Sequence, residues 1–144
     1  LACDLVLAAR SASFIQAFCK IGLIPDSGGT WTLPRLVGMA RAKALALLGN
    51  RLSAEQAEQW GLIYHCVEDA ELRDEALKLA QHLATQPTYG LALIKRSLNA
   101  SMSNSFDEQL ELERDLQRLA GRSEDYREGV AAFMDKRQPA FKGC

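Results

Sequence analysis

The sequence predicts an α/β chain, with a few short strands at the front and a helical second half. Two apolar runs near the start, Asp4-Leu5-Val6-Leu7-Ala8-Ala9 and Ser13-Phe14-Ile15-Gln16-Ala17-Phe18, are short enough for buried strands. From Thr30 onward, apolar residues recur at helical spacing, and Ser53 and Ser105 open patterns of capping-box form. Between these regimes lies Gly22-Leu23-Ile24-Pro25-Asp26-Ser27-Gly28-Gly29-Thr30-Trp31, around which the chain is organised.

The elements follow in order. Phe14, Ile15 and Phe18 are strand formers, so the second run reads as a strand joined to the first by a short link at Arg10-Ser11-Ala12. Thr30 to Val37 reads as a short helix, with Pro34 tolerated only near its first turn. Met39 to Leu48, rich in Ala and Leu, is a strong helix, closed by Gly49-Asn50. Ser53-Ala54-Glu55-Gln56 opens a helix that stops at Gly61, and Leu62 to Val67 is extended. Acidic residues at 68–71 precede a helix with an apolar stripe at Leu72, Ala76, Leu79 and Leu83. After the break at Pro87, a helix over Tyr89 to Ala100 carries Leu91, Ile94 and Leu98. A charged helix from Ser105 to Ala120 shows Leu112, Leu116 and Leu119 on one side. A last helix, capped at Ser123, runs to about Lys136 with Tyr126, Val130 and Phe133 on a face.

Composition narrows the function classes. The 144 residues are 48% hydrophobic and 24% charged, with a formal net charge of −1. That balance gives no electrostatic case for nucleic acid or an anionic membrane. No apolar run approaches bilayer length. Cys3, Cys19, Cys66 and Cys144 are scattered without a CxxC pair, which predicts free thiols in a cytoplasmic, reducing compartment and no metal site. The chain opens at Leu1-Ala2-Cys3-Asp4, without an initiator Met or signal-peptide form, as if mid-element, so it reads as a fragment.

Asp26 is the residue with most chemistry in its setting. Pro25 stiffens the backbone before it, and Gly28 and Gly29 permit dihedrals or close approaches that a side chain forbids. Leu23, Ile24 and Trp31 are placed to wall the carboxylate from water, which would raise its pKa toward the range useful for proton transfer. The other role open to Asp26, or to Ser27, is the N-cap of the following helix. His65 and His82 have no partner set by spacing.

Several pieces, taken in order, resemble the crotonase (enoyl-CoA hydratase/isomerase) superfamily. They are Ala2-Cys3-Asp4-Leu5-Val6 with Ala8, Phe14, Gly22-Leu23-Ile24-Pro25, and Gly28-Gly29-Thr30. Leu33-Pro34-Arg35-Leu36-Val37-Gly38, Leu52-Ser53-Ala54-Glu55-Gln56-Ala57 and Gly61-Leu62 follow, then Arg127-Glu128-Gly129, Phe133 and Lys136-Arg137. Three stretches bring the chain nearest to the branch that isomerises a ring-epoxide CoA thioester in phenylacetate breakdown: 8–12, 23–26 and 117–123.

The resemblance implies the C-terminal part of a crotonase fold of repeated ββα units. Residues 1–85 would belong to the core, and 86–144 to a helical region that builds trimers and contacts CoA. It implies an acyl-CoA substrate, no cofactor beyond the CoA carried by that substrate, and a homo-oligomer, trimer or dimer of trimers, with a related hydratase subunit as a further partner. In the family two backbone N–H groups hold the thioester oxygen as charge develops, a large catalytic contribution. Both would fall upstream of Leu1, so this chain alone is expected to be inactive.

The family's hydratases use two glutamates. One would fall before Leu1 and the other at Phe18, where this chain has Gln16-Ala17-Phe18 in place of Gln-Pro-Glu. Isomerase branches put an aspartate where hydratases have glycine, which carries the acid/base role to Asp26. Leu23, Ile24 and Trp31 would line the acyl pocket, and Phe133 and Lys136, three residues apart on one helical face, would contact CoA. The readings that compete with an isomerase are an enoyl-CoA hydratase, a dehalogenase-like enzyme with a nucleophilic aspartate, and a non-catalytic assembly subunit.

Overall fold

In the computed structural model, which describes residues 2–144, the first apolar run contributes strand β1 over Leu7–Ala9. It pairs in parallel with β4 (His65–Val67), aligning Leu7 with His65, Ala8 with Cys66 and Ala9 with Val67. The second run differs from expectation. Only Ser13–Phe14 is strand, β2, paired antiparallel with β3 (Leu52–Ser53). Ala17–Ile21 is a 3-10 helix closed by Gly22. A two-residue partner offers no ladder beyond Phe14, so the strand propensity of Ile15 and Phe18 goes unused. Both sheets have two strands, too few for independent stability without packing.

The chain divides into two compact units, Leu1–Leu77 and Lys78–Cys144. In the first, α1 (Gly29–Val37) packs on α2 (Met39–Leu48), which meets the 3-10 helix, and α3 (Ala54–Gln59) packs on β2, β3 and β4. Leu33 and Val37 of α1, Ala42 and Leu45 of α2, Leu52, Ala54 and Ala57 form the core with Ala8, Leu62, Ile63 and Cys66. Full burial of a side chain such as Leu52 stabilises by about 1.5–3 kcal/mol. Ser53 caps α3 by accepting from the Gln56 N–H at 3.2 Å. Pro34 is deeper in α1 than the sequence reading allowed, at its sixth residue. It offers no N–H to the Thr30 carbonyl, which lies at an exposed residue where water can serve it.

Helix α4 (Leu72–Ala84) spans the division. The second unit holds α5 (Thr88–Ser101), α6 (Phe106–Ala120) and α7 (Glu124–Met134), with α5 against α6. Ser105 and Glu108 complete a reciprocal capping box on α6. The apolar faces of these helices are only partly covered: Leu116 and Ala132 are buried, while Ile94, Leu98, Tyr126 and Val130 are about half exposed. Residues 137–144 run back along α7. Asp125, buried, accepts from the Lys142 and Gly143 N–H groups at 2.7 and 2.9 Å, and its own N–H donates to the Cys144 carbonyl.

No helix among the described residues is long and apolar enough to cross a membrane. The four cysteines are free.

Candidate active site

The segment from Leu23 to Trp31 turns from extended chain into α1 through two left-handed residues, Ser27 (φ +50°) and Gly28 (φ +78°). Gly28 is there for its dihedral alone, since a Cβ would meet nothing within 4 Å. The Gly29 N–H donates to the Asp26 carbonyl at 2.7 Å, and the Trp31 and Thr32 N–H groups donate to Gly28. The N-cap is Gly28, with no side-chain cap. Neither Asp26 nor Ser27 therefore caps α1 through its side chain. A left-handed pair at 27 and 28 is not the extended N-cap geometry in which such a side chain accepts from the first turn.

The Asp26 carboxylate makes no hydrogen bond or ion pair among the described residues. Its expected apolar wall is not closed within these residues. Asp26 is exposed, as are Leu23 (59%), Ile24 (79%) and Trp31 (52%). Leu23 and Ile24 lie on a short span without helix or strand, and the core takes up Leu33 and Val37 instead. Trp31 has a partner that spacing alone did not announce: the Arg35 guanidinium lies 3.9 Å from its ring centroid and donates to its carbonyl at 2.9 Å. Beside this turn a cleft of about 270 Å³ is lined by Ala2, Gln16, Ser27, Gly29, Thr32 and Leu33, and Asp26 is not part of its lining. Phe18 sits half-buried in the 3-10 helix, where its carbonyl accepts from the Leu23 N–H at 3.0 Å.

Phe133 and Lys136 do not share a helical face as expected. Helix α7 ends at Met134, and Lys136 lies beyond it with φ +53°. The Lys136 N–H donates to Phe133 and the Arg137 N–H to Ala132, closing the helix in the 5→2 and 6→1 pattern that usually places glycine at the left-handed position. Phe133 is 81% exposed and Lys136 is exposed. A groove of about 390 Å³ beside Phe133 is walled by Tyr126, Val130 and Phe141.

One charged cluster escaped the sequence reading. His65 Nδ1 lies 2.6 Å from Glu58 Oε1, and Glu58 Oε2 accepts from the Cys66 N–H. The His65 hydrogen bond leads the interactions that hold the Glu58 carboxyl below its ordinary range. Arg10 bridges Glu55 and Glu68, with 2.7 Å to the latter. Glu58 lies on α3 and His65 on β4, so only the fold brings them together. Among the described residues no group of three or more His, Cys, Asp or Glu is placed to hold a metal ion.

The signature described as "Enoyl-CoA hydratase/isomerase" matches residues 1–144. The chain belongs to that family. It is 64% identical, over 97% of its length and 53% of the relative's, to 1,2-epoxyphenylacetyl-CoA isomerase of Escherichia coli K12. It is 49% identical, over 99% of its length and 56% of the relative's, to a protein of Rhodobacter capsulatus named probable enoyl-CoA hydratase. A crystal structure of enoyl-CoA hydratase from Bacillus anthracis superposes with a TM-score of 0.94 at 34% identity, covering 99% of this chain and 55% of that one. The chain is thus a partial crotonase fold and spans about half the length of the curated relatives it matches.

Proposed function

We propose that the intact protein is an isomerase of acyl-CoA thioesters, with 1,2-epoxyphenylacetyl-CoA or a 3-enoyl-CoA as substrate. The observation that carries this reading is the 64% identity to a relative of the first activity, joined to a carboxylate at Asp26 that no cap or ion pair occupies. Phenylalanine at position 18 counts against paired-carboxylate water addition.

In the proposed chemistry, Asp26 takes a proton next to the thioester as an enolate-like state forms, and returns it further along the conjugated acyl group. A 3-enoyl-CoA becomes its 2-enoyl isomer, with no atom gained or lost. The epoxide, already an isomer of its product, opens into the ring-expanded oxepin. The backbone donors for the thioester oxygen come from outside these residues, and so does the rest of the wall that removes Asp26 from water. The 144 residues alone are inactive on this reading. Leu23, Ile24 and Trp31 give an apolar surface for the acyl group, while Phe133 and Lys136 meet the nucleotide end of CoA. The working form is a homo-oligomer, a trimer or dimer of trimers, in the cytoplasm, and CoA enters only as part of the substrate.

The test is Asp26→Asn in the intact enzyme. Expected is retained binding of the CoA ester with a fall in isomerisation of roughly 10²–10⁴-fold. Turnover near wild type would remove Asp26 from the mechanism. Rapid hydration of crotonyl-CoA would move the assignment to a hydratase, and a trapped covalent ester on Asp26 would move it to nucleophilic chemistry.

A further inference from the structure

The carboxylate of Glu128 is held by the chain that follows α7. Its two oxygens accept from the Arg137 guanidinium at 2.6 and 3.0 Å, and Oε1 also accepts from the Ala140 N–H at 2.8 Å. Such a fork fixes direction as well as distance. Lys136 is the residue between the helix end and this anchor. It holds a left-handed dihedral that disfavours any side chain but is normal for glycine. Its ammonium makes no hydrogen bond or ion pair among the described residues. A lysine thus stands where the backbone favours glycine, with its charge unspent and its turn clamped from the next residue.

We infer that Glu128 is a positioning residue for Lys136, holding Arg137 and Ala140 so that the turn carrying the lysine is already formed before the phosphates of the CoA nucleotide arrive. This rests on the reading that Lys136 contacts CoA. Glu128 touches no substrate. It acts by making the turn that carries the lysine independent of ligand, which lowers the backbone ordering cost at binding.

The test compares two thioesters of one acyl group in the intact enzyme: the CoA ester, and the N-acetylcysteamine ester, which lacks the nucleotide. Glu128→Gln raises KM for the CoA ester roughly tenfold with kcat nearly unchanged, and leaves kcat/KM for the short ester as it was. Arg137→Lys, which keeps the charge and loses the fork, gives the same split and serves if the glutamine variant does not fold. On a Lys136→Ala background, Glu128→Gln adds nothing further to KM. An equal loss for both esters, or a Glu128→Gln effect undiminished without Lys136, overturns the inference. If Lys136→Ala by itself leaves KM for the CoA ester unchanged, the CoA-contact reading fails first, and the inference with it.

Discussion

Ser27 and Gly28 hold consecutive left-handed dihedrals immediately after Asp26. For a residue with a Cβ this conformation costs on the order of 1–2 kcal/mol. Gly28→Ala is therefore expected to lower the stability of the intact protein by about that amount. Ser27→Gly should change it less, because relief at φ +50° is offset by the roughly 0.5–1 kcal/mol of chain entropy that glycine adds to the unfolded state. Denaturant midpoints read both, and equal losses would contradict the argument. The same dihedrals mark what the sequence did and did not disclose. Aspartate and serine ahead of a glycine pair fit a helix cap and a catalytic turn equally well. The backbone conformation removes the side-chain cap, and it is set by contacts that residue type does not encode. Asp26 was legible as a candidate, but its surroundings were not, because Leu23, Ile24 and Trp31 remain exposed among these residues.

Elements fixed by local chemistry were the readable ones. Helix α2 follows from an Ala- and Leu-rich run, α6 from a capping box, and α7 from the Ser123 hydroxyl accepting the Tyr126 N–H. Elements fixed by distant partners were not readable: β3 exists through Ser13 and Phe14, and the 3-10 turn took residues that favour strand. The tail along α7 belongs to the second group. Its anchor predicts a pH response. The Arg137 hydrogen bond, then the Ala140 N–H, with Arg137 and Lys142 as facing positive charges, lower the Glu128 carboxyl from 4.5 to about 2. A lowered carboxylate stabilises the folded form fully above its unfolded value, and that contribution is lost as pH falls through the folded value. The clasp should hold at pH 5 and release as the pH approaches about 2. The Ala140 amide resonance reports it, and a midpoint near 4.5 would show that the anchor is not formed in solution.

At the scale of the molecule, both units leave large apolar side chains in water, among them Ile24, Leu47, Ile94, Leu98, Phe106 and Phe133. Exposed apolar side chains in such number are surface for the rest of the intact protein or a second copy to cover. The intact protein is expected to sediment as a trimer or a dimer of trimers, and a monomer at micromolar concentration would overturn that. Composition alone hinted at none of this, since a 48% hydrophobic fraction is ordinary.

The parallel pairing of β1 with β4 carries a kinetic consequence. Arg10 and Glu68, bridged beside that pair, are 58 residues apart in sequence. Bringing such remote points together spends configurational freedom before any ladder bond returns it, so topology, more than local preference, governs the pace of assembly. The neighbouring helices can coil on their own schedule, but the seam joining Leu7–Ala9 to His65–Val67 must wait for the intervening chain to shorten the gap. A nascent polypeptide would carry Leu7–Ala9 without its His65–Val67 partner until that later stretch arrives.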